Sequence, residues 1–382
     1  MRIAIDLASV RTTGTRIYSD GFLPALGRIG GDDDFLIFVP LDVADMVRDK
    51  LPSNVILYIT SVTANVKKRL VWEQVIMPKL LREWKADVLF AAFDIAPMYC
   101  PCPILLAVRN PSPFLLAKGW HTSPLAARVK AQIHRMMAYA SSKKAKCVFY
   151  PTAYASKLLG DLMKVPIKKR AVIHHGTDHA FWTASYDCDP VLNQYGIAHK
   201  NYILFVSNFY FYKQPDVLID AFSRCQTLIA QGGKLVFVGG APDPIFEQQL
   251  HQQVKQLGLD QEVKFLGHIP RPHLPVLYQE AAAFVLPTVM ETFGQPFVEA
   301  MASGVPVICA DTEFAREICG DAAWYFPPGK ADILAPLMEQ VVCDTNVNDR
   351  LSDASLARAK QFSWDREAAE TLSLLKVIGR NT

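Results

Sequence analysis

Short runs of β-branched and apolar residues recur along this chain, and longer segments of mixed polarity separate most of them. The runs have the length of strands and the separating segments have room for helices, so the alternation predicts βα units around a parallel sheet. In the first half the runs are Ile3–Asp6, Phe35–Val39, Val55–Ile59, Asp87–Ala91, Ile104–Val108, Cys147–Tyr150 and Ala171–His174. The pattern restarts with Tyr202–Ser207, Leu235–Val238, Val263–Leu266, Phe284–Leu286, Val305–Cys309 and Trp324–Phe326. Two successive doubly wound sheets are therefore predicted.

The two series of runs are separated by Thr183–Asn201, a stretch without sustained periodicity that is typical of a linker. A length of 382 residues also suits two domains better than one. We predict a first domain over residues 1–185 and a second over 186–360. The tail keeps a helical period and no strand follows it, so residues 361–382 are predicted to form a helix that packs back on the first domain.

The predicted architecture indicates where a ligand binds. In open α/β sheets, ligands bind beyond the carboxyl ends of the strands, where loops and helix amino ends converge. With two such domains facing each other, the expected site is the cleft between them. The fold class alone does not choose the chemistry, because the same architecture supports many activities.

The most informative segment runs from Leu286 to Ile308 and predicts a strand end, a loop and a helix that begins near Pro296. Glu291 lies in the predicted loop and Glu299 in the helix. Backbone N–H groups near the helix amino end favour a phosphate, and ionised carboxylates accept hydrogen bonds from sugar and ribose hydroxyls. By itself, such a glutamate pair more often only complements the helix dipole and solubilises a loop.

The surroundings of the two glutamates point to a known family. The pair, with Phe293-Gly294 between them and Gly304-Val-Pro-Val-Ile308 after them, resembles the signature of family-4 glycosyltransferases, which are retaining enzymes of the GT-B fold. Further segments resemble this family in the same order along the chain. They are Val172–Asp178, Ile203–Asn208, Val236–Gly240, Val263–Gly267 and Glu317–Ala323. The general resemblance is to bacterial mannosyltransferases of surface polysaccharide assembly.

The resemblance implies roles for residues of the second domain. Glu291 would contact hydroxyls of the donor sugar, Glu299 would bind the ribose, and Lys213 would neutralise the departing diphosphate. A fixed cation is needed there because breaking the anomeric bond leaves an anionic leaving group. Beside these three residues, the implied donor-binding positions are Asn208, Thr292, Phe293, Gly294 and Gln295.

One position departs from the family pattern. The family usually has an arginine a few residues before the lysine, and Asn208 occupies that place here. Asparagine donates hydrogen bonds but carries no charge. Either another cation replaces the arginine, with Arg16 and Arg109 as candidates, or donor binding is weakened.

The first domain offers one further donor-binding candidate, Gly14, and the candidates for the acceptor side. Gly14 follows the first predicted strand, and a glycine there lets the backbone approach a phosphate closely, although a plain βα turn is the alternative. Arg109 and Asn110 end a strand at the place where many family members carry a histidine. Arg109 is also a catalytic candidate. Arg16 and His175 complete the acceptor-side set, with an ion-pair or structural role as the alternative for Arg109 and His175.

The resemblance implies a metal-independent retaining hexosyltransferase of polysaccharide, lipopolysaccharide or glycolipid biosynthesis. Its donor would be a GDP-, UDP- or dTDP-linked sugar, with GDP-mannose as first candidate, and its acceptor a saccharide or a lipid-linked saccharide. No cofactor or general base is implied. A different GT-B activity, such as an epimerase, and a sugar-nucleotide binding protein without catalysis stay open. Asp187-Cys188-Asp189 has the letters of a metal motif but falls in the predicted linker.

Charge is distributed unevenly along the chain. Residues 1–195 carry 25 Lys and Arg against 16 Asp and Glu, whereas the remainder carries 15 against 21. Clusters at Lys67–Arg69, Lys143–Lys146 and Lys168–Arg170 could attract an anionic membrane or could be ordinary solvated lysines. No binding module for nucleic acid accompanies them. With no signal-like or membrane-spanning run and eight dispersed cysteines, we predict a cytoplasmic protein, peripheral at most to the inner membrane face.

Overall fold

The structure is a computed structural model that describes residues 1–10, 13–60, 66–115 and 125–380. The chain divides into two compact units. Unit 1 comprises Met1–Gly176 together with the residues from Ser363 onward, and unit 2 comprises Thr177–Phe362. The chain thus passes between the units after Gly176 and again after Phe362. The boundaries predicted from the sequence were after residues 185 and 360.

Unit 1 is built on a parallel sheet. Its strands are β1 (Arg2–Asp6), β2 (Asp34–Val39), β3 (Val55–Ile59), β4 (Val88–Ala91), β5 (Ile104–Ala107), β6 (Cys147–Tyr150) and β7 (Arg170–Val172). Its helices up to this point are α1 (Thr13–Ile29), α2 (Leu41–Val47), α3 (Val66–Val71), α4 (Met77–Trp84), α5 (Ser112–Leu115), α6 (Leu125–Lys144) and α7 (Ala153–Leu162). A π-helical turn, Trp72–Ile76, joins α3 to α4.

Among the described residues, the strand order of unit 1 is β3-β2-β1-β4-β5-β6-β7, with every pairing parallel. Ile3 lies between Phe35 of β2 and Val88 of β4. The chain moves outward from β1 in one direction and then from β4 in the other. The carboxyl ends of β1 and β4 therefore flank the point where the strand order reverses, which is where such sheets bind ligands.

Unit 2 repeats this organisation. It contains α8 (His179–Thr183), α9 (Cys188–Tyr195), β8 (Tyr202–Val206), α10 (Pro215–Ser223), α11 (Gln226–Ala230), β9 (Lys234–Val238), α12 (Pro244–Gln256), β10 (Val263–Phe265), α13 (Leu274–Gln279), β11 (Ala283–Leu286), α14 (Gln295–Ala302), β12 (Val307–Ala310), α15 (Glu313–Cys319), β13 (Ala323–Phe326), α16 (Ala331–Cys343) and α17 (Thr345–Ala359). The described strands are parallel in the order β10-β9-β8-β11-β12-β13. Here the strand order reverses between β8 and β11.

Both sheets have helices on their two faces, which explains why their strands read as nearly continuous apolar runs. In β1 the side chains of Ile3 and Ile5 enter one core and Ala4 enters the other. The last helix, α18 (Trp364–Arg380), contributes Trp364 and Leu372 to the first of these cores. Burial of this apolar stripe, at about 25 cal/mol per Å², holds α18 in unit 1.

Candidate active site

The site in unit 2 forms where the loops after β8 and β11 meet at the strand-order reversal. The loop after β8 ends in a single 3₁₀ turn, Phe211–Lys213, before α10 begins. The backbone N–H of Val289, in the loop after β11, donates to the carbonyl of Tyr212 over 2.9 Å. This hydrogen bond ties the two loops together, so the side chains that follow Tyr212 and Val289 are held near each other.

Lys213 and Glu291 form an ion pair across these two loops. The pair joins Nζ of Lys213 to Oε1 of Glu291, and the two side chains are 9% and 17% exposed. Gln214, immediately after the lysine, has a left-handed backbone with φ of 52°, and its Oε1 accepts from the N–H of Gly329 over 3.2 Å. The strained backbone is thus held by a second contact, and it fixes the direction in which Lys213 leaves the turn.

The ion pair matters chemically because both charges are largely withdrawn from water. Withdrawing two charges costs solvation energy that their attraction recovers only with good geometry. A phosphate oxygen brought to this position would compete with the Glu291 carboxylate for the Lys213 ammonium. An entering diphosphate would therefore release the carboxylate to accept hydrogen bonds from neutral hydroxyls.

The amino end of α14 lies directly after Glu291 in the chain. Gly294 is buried and has φ of 86°, and a Cβ at this position would lie 2.6 Å from Cδ2 of Phe297. Only glycine meets both conditions, so the turn into the helix depends on it. The amino end of a helix carries a partial positive charge that favours an anion. Thr292 and Gln295 flank this turn and are half-buried. The side chain of Phe293 packs against Phe362, with the centres of the two rings 5.8 Å apart.

Glu299 lies inside α14 and is buried, and the hydroxyl of Tyr278 donates to its Oε2 over 3.3 Å. Burial raises the pKa of Glu299 to about 7, although the Tyr278 hydrogen bond and the charge of Arg271 act in the opposite direction. The carboxyl group therefore changes charge near neutral pH. Such a group in a ligand-binding region is a functional candidate on physical grounds.

Unit 1 contains a second cluster of charged groups, centred on Arg109 at the carboxyl end of β5. The backbone N–H of Arg109 donates to Oδ1 of Asp94 over 2.9 Å. Its guanidinium carbon lies 3.8 Å from the centre of the Tyr18 ring, within the range of a cation–π contact. Burial raises the pKa of Tyr18, and the Arg109 charge opposes this shift. Arg109 is thus packed inside unit 1 by Asp94, in the segment after β4, and by Tyr18 of α1.

Glu367 of α18 completes this cluster and was not predicted from the sequence. Its side chain is fully buried, with Oε1 lying 3.8 Å from a guanidinium nitrogen of Arg109 and 2.9 Å from Nδ1 of His175. Its Oε2 accepts from the N–H of Gly176 over 2.9 Å. Since a carboxylate only accepts, Nδ1 of His175 is the protonated ring nitrogen. Burial lowers the pKa of His175, with Glu367 opposing, which favours the neutral imidazole.

The remaining candidates in unit 1, the acceptor-side Asn110 and Arg16 and the donor-side Gly14, are distributed differently. Asn110 is exposed, and its Oδ1 accepts from the N–H of Ser112 over 3.0 Å. Arg16 is exposed and forms an ion pair with Asp42 of α2. Gly14 is exposed near the start of α1, and a Cβ there would contact nothing, while residues 11 and 12 beside it lie outside the described part. The structure joins Arg109 and His175 through Glu367, and it holds Arg16 against α2.

Comparison with known proteins bears on unit 2 first. Residues 192–358 match the family described as Glycosyl transferases group 1, and this range lies within unit 2. The chain carries a group 1 glycosyltransferase domain. The family resemblance stated from the motifs is confirmed for this domain, which contains Lys213, Glu291 and Glu299.

Relatives of the chain include two proteins named as O-antigen chain mannosyltransferases. The chain is 30% identical to O-antigen chain mannosyltransferase B of Escherichia coli over 194 residues, which cover 50% of each protein. It is 27% identical to O-antigen chain mannosyltransferase RfbU of Salmonella typhimurium over 229 residues, which cover 56% of this chain and 61% of that protein. The chain spans about half the length of the curated relatives it matches.

Solved structures extend the likeness beyond the glycosyltransferase domain. Anabaena Alr3699/HepE in complex with UDP-glucose has a TM-score of 0.75 and 21% identity, covering 98% of this chain and 100% of that one. WaaG, a glycosyltransferase involved in lipopolysaccharide biosynthesis, has a TM-score of 0.71 and 14% identity, covering 98% and 99%. These likenesses concern the fold. They confirm the predicted α/β class, with two Rossmann-like parallel-sheet domains of the GT-B type.

Asn208 lies at the start of the loop after β8 in the glycosyltransferase domain. Its side chain is exposed, and its carbonyl accepts from the N–H of Tyr210 over 3.0 Å. The two arginines considered as substitutes both belong to unit 1, where Arg16 pairs with Asp42 and Arg109 lies near Glu367. Within the glycosyltransferase domain, Lys213 is the cation that the described geometry places beside Glu291.

The sequence motif Asp187-Cys188-Asp189 has a different setting from a metal site. Asp189 bonds to Nε2 of His199 over 2.7 Å, and Nδ1 of the same ring lies 2.9 Å from Glu280. These hydrogen bonds raise the pKa of His199. In the described ranges no group of three or more His, Cys, Asp or Glu residues has an arrangement that could hold a metal ion.

Proposed function

We propose that this protein is a retaining hexosyltransferase that moves a sugar from a nucleotide-sugar donor to an acceptor hydroxyl. The observation that carries the proposal is the Lys213–Glu291 ion pair, formed at the strand-order reversal of a group 1 glycosyltransferase domain. The site thus combines a cation for a leaving group with a carboxylate for hydroxyl groups. Arg16, Arg109, Asn110 and His175 of unit 1 are proposed to serve the acceptor.

In the proposed mechanism the donor diphosphate binds at the amino end of α14 and against Lys213. Glu291 then accepts hydrogen bonds from donor hydroxyls, and Glu299 accepts them from the ribose. As the anomeric carbon–oxygen bond breaks, negative charge grows on the diphosphate and the ammonium of Lys213 stabilises it. The acceptor oxygen bonds to the same carbon on the same face, and its proton passes to the leaving phosphate oxygen. This path needs no separate general base and no metal.

The relatives guide the choice of donor. Two of them are named O-antigen mannosyltransferases, which supports GDP-mannose as the first donor to test and a saccharide or lipid-linked saccharide as acceptor. HepE was solved with UDP-glucose, which supports UDP-hexoses as the alternative. Lipopolysaccharide or another surface polysaccharide is the proposed pathway product.

The proposal is tested by a donor screen with GDP-mannose, UDP-glucose, UDP-galactose and dTDP-rhamnose. Calorimetry should show binding of at least one, and free nucleotide should then appear only when an acceptor from a saccharide panel is added. Release of free nucleotide without any acceptor would indicate an epimerase or a hydrolase. Asn208 favours a second candidate, a binding protein without catalysis, and tight binding with no turnover over the whole panel would support it.

The pKa of Glu299 gives this proposal a pH signature. Only the ionised carboxylate accepts two hydrogen bonds from ribose, so donor affinity should fall as pH drops below about 7, by up to about tenfold per pH unit. The diphosphate diester of a nucleotide sugar does not titrate in this range, so the effect belongs to the protein. In Glu299→Gln the dissociation constant should be larger and independent of pH between 5.5 and 8. A parallel pH dependence in both proteins would remove Glu299 from the ribose site.

We further propose that unit 1 contacts an anionic membrane surface through α6. This helix has five basic residues and no acidic one, and Val129, Ile133 and Met136 are 49%, 50% and 63% exposed along its outer face. The Lys168–Arg170 cluster adjoins its end, because Nζ of Lys169 donates to the carbonyl of Ala145 over 3.0 Å. Apolar side chains flanked by lysines and arginines are typical of interfacial helices.

Vesicle binding tests this contact. Met136→Glu should reduce binding to vesicles of phosphatidylcholine and phosphatidylglycerol by about fivefold or more, because a charge replaces an inserting side chain. Tyr99→Glu, at a side chain of unit 1 that is 84% exposed, is the matched control. Equal binding of both variants would exclude α6 as the membrane contact.

The helices of the described part include none with the length and apolar character needed to cross a bilayer. In the third basic cluster, Lys67–Arg69, the side chains of Lys67 and Arg69 lie outside the described part of the chain.

A further inference from the structure

Three aromatic residues, Tyr210, Phe211 and Tyr212, directly precede Lys213 and are called the aromatic triplet below. The rings of Tyr210 and Tyr212 are stacked, with centres 5.1 Å apart and planes 9° apart. The Phe211 ring stands at 85° to that of Tyr212 with centres 5.5 Å apart. Tyr210 and Tyr212 thus form a flat pair, and the Phe211 ring between them in sequence meets the Tyr212 ring edge to face.

Phe211 differs from the other aromatic side chains of unit 2 in its exposure. It is 56% exposed, and the other exposed large apolar side chains of this fully described unit are aliphatic. Leaving a phenyl ring in water forgoes part of the free energy that its burial would contribute. Together with the stacked rings of Tyr210 and Tyr212, the exposed Phe211 ring forms a contiguous aromatic surface beside the candidate site, and such surfaces are typical of ligand contacts.

The triplet is fixed relative to the ion pair. The N–H of Lys213 donates to the carbonyl of Tyr210 over 2.9 Å, which closes the turn, and the Tyr212 carbonyl accepts from Val289 of the opposite loop. Nζ of Lys213 lies 5.6 Å from the centre of the Tyr212 ring. Phe211 therefore projects from the same short turn that presents the cation for the leaving group.

We propose that the aromatic triplet, with Phe211 as its exposed ring, binds a pyranose ring of the acceptor saccharide by stacking. This inference rests on the proposed glycosyl transfer. A pyranose has one face of polarised C–H bonds, which suits the electron-rich face of an aromatic ring, and hydroxyl groups at its rim.

The acceptor, and not the donor nucleoside, is the occupant that the geometry favours. The ribose carboxylate Glu299 lies on α14 and bonds to Tyr278 of α13. The triplet belongs to the loop before α10, beside the group that receives the leaving diphosphate. The nucleoside and the triplet are thus served by different elements. The donor hexose is assigned to Glu291, so the exposed ring of Phe211 is left for the other sugar of the reaction, that of the acceptor.

Saturation-transfer NMR tests this without turnover. Methyl α-D-mannopyranoside, methyl β-D-glucopyranoside and methyl β-D-galactopyranoside are the probes, and mannitol is the open-chain control that lacks a ring face. Irradiation of aromatic protons should transfer saturation to the ring C–H protons of at least one pyranoside and not to mannitol. Transfer should fall about fivefold or more in Phe211→Ala and Phe211→Leu and persist in Phe211→Tyr, because the contact needs an aromatic face. Ile245→Ala, at an aliphatic side chain of the same unit that is 67% exposed, should leave it unchanged.

Separate measurements distinguish failure of this inference from failure of the proposed function. UDP and GDP dissociation constants should be the same in all variants, and the KM for acceptor should rise about tenfold in Phe211→Ala with kcat little changed. Equal saturation transfer in wild type and Phe211→Ala, or none to any pyranoside, would overturn the inference. So would a loss of nucleotide affinity in Phe211→Ala, which would assign the triplet to the donor. If wild type binds no nucleotide sugar, the proposed function fails whatever the pyranosides do.

Discussion

Replacement of Lys213 by alanine is expected to lower turnover by about two to three orders of magnitude, the usual effect of losing one preorganised contact to a developing charge. The reason lies in the ion pair with Glu291, in which both side chains are largely buried. An ammonium in such surroundings interacts with a leaving diphosphate far more strongly than one in water. Initial rates with the donor identified by the screen, at saturating acceptor, measure the effect.

Two control variants separate this role from a general loss of structure. Lys255→Ala removes an exposed lysine of α12 and should leave turnover unchanged. Glu291→Gln removes the competitor for the ammonium, so its affinity for free UDP or GDP should be equal to or higher than that of wild type, whereas Lys213→Ala should bind both more weakly. Turnover of Lys213→Ala within about twofold of wild type would remove this lysine from the chemistry.

The fold was predictable because its strands are buried on both faces and its sequence pattern is simple. β8 falls within the predicted run Tyr202–Ser207, and β1 begins one residue before the predicted run Ile3–Asp6, at the exposed Arg2. The runs were readable because positions in a parallel sheet covered by helices tend to be apolar. β12 begins at Val307 and not at the predicted Val305, because Pro306 has no N–H for the sheet ladder. The order of the strands in each sheet was less predictable, because an apolar run locates a strand but does not specify which strand lies beside it.

The pairing of Lys213 with Glu291 shows the same limit at the site. The motifs named both residues, but their contact depends on β8 and β11 being neighbours and on the Val289 hydrogen bond. Their predicted roles as donor-binding and catalytic residues stay predictions. Likewise, the basic clusters at Lys143 and Lys169 are separate in sequence, and only the fold places the Lys169 ammonium on carbonyls at the end of α6.

Glu367 shows which signal was missed. Its partners Arg109 and His175 are distant in sequence, so no local motif connects them. The helix itself carries the clue, because Glu367 belongs to the buried stripe of α18 together with Trp364, Ala368 and Thr371. A charged residue on the apolar stripe of an amphipathic helix requires a buried partner, since an unpaired buried charge is very costly. Searching the predicted helices for such residues would have found it.

Replacement of Glu367 by alanine is expected to lower the free energy of unfolding of unit 1 by about 3–5 kcal/mol, the usual cost of removing one member of a buried ion pair. The change leaves the Arg109 guanidinium buried without its carboxylate and takes the acceptor from the N–H of Gly176. Gly176 cannot move away easily, because its Cα already packs against the backbone of Ser363 and Trp364 so closely that a Cβ would overlap them. Glu367→Gln keeps an acceptor oxygen and should cost less.

Glu370→Ala is the matched control, because Glu370 lies one turn further along α18 and pairs with Arg366 over 2.8 Å on the solvent side, where it is 39% exposed. An exposed pair of this kind contributes at most about 0.5 kcal/mol, so this variant should unfold like wild type. A chain with two compact units need not unfold in one step, so amide hydrogen exchange of peptides from β1, α1 and α18 is the appropriate measurement. Faster exchange in these peptides should accompany Glu367→Ala, while peptides from β8 and β11 in unit 2 should keep their protection. If Glu367→Ala and Glu370→Ala exchanged alike, the buried carboxylate would contribute no more to unit 1 than a surface ion pair.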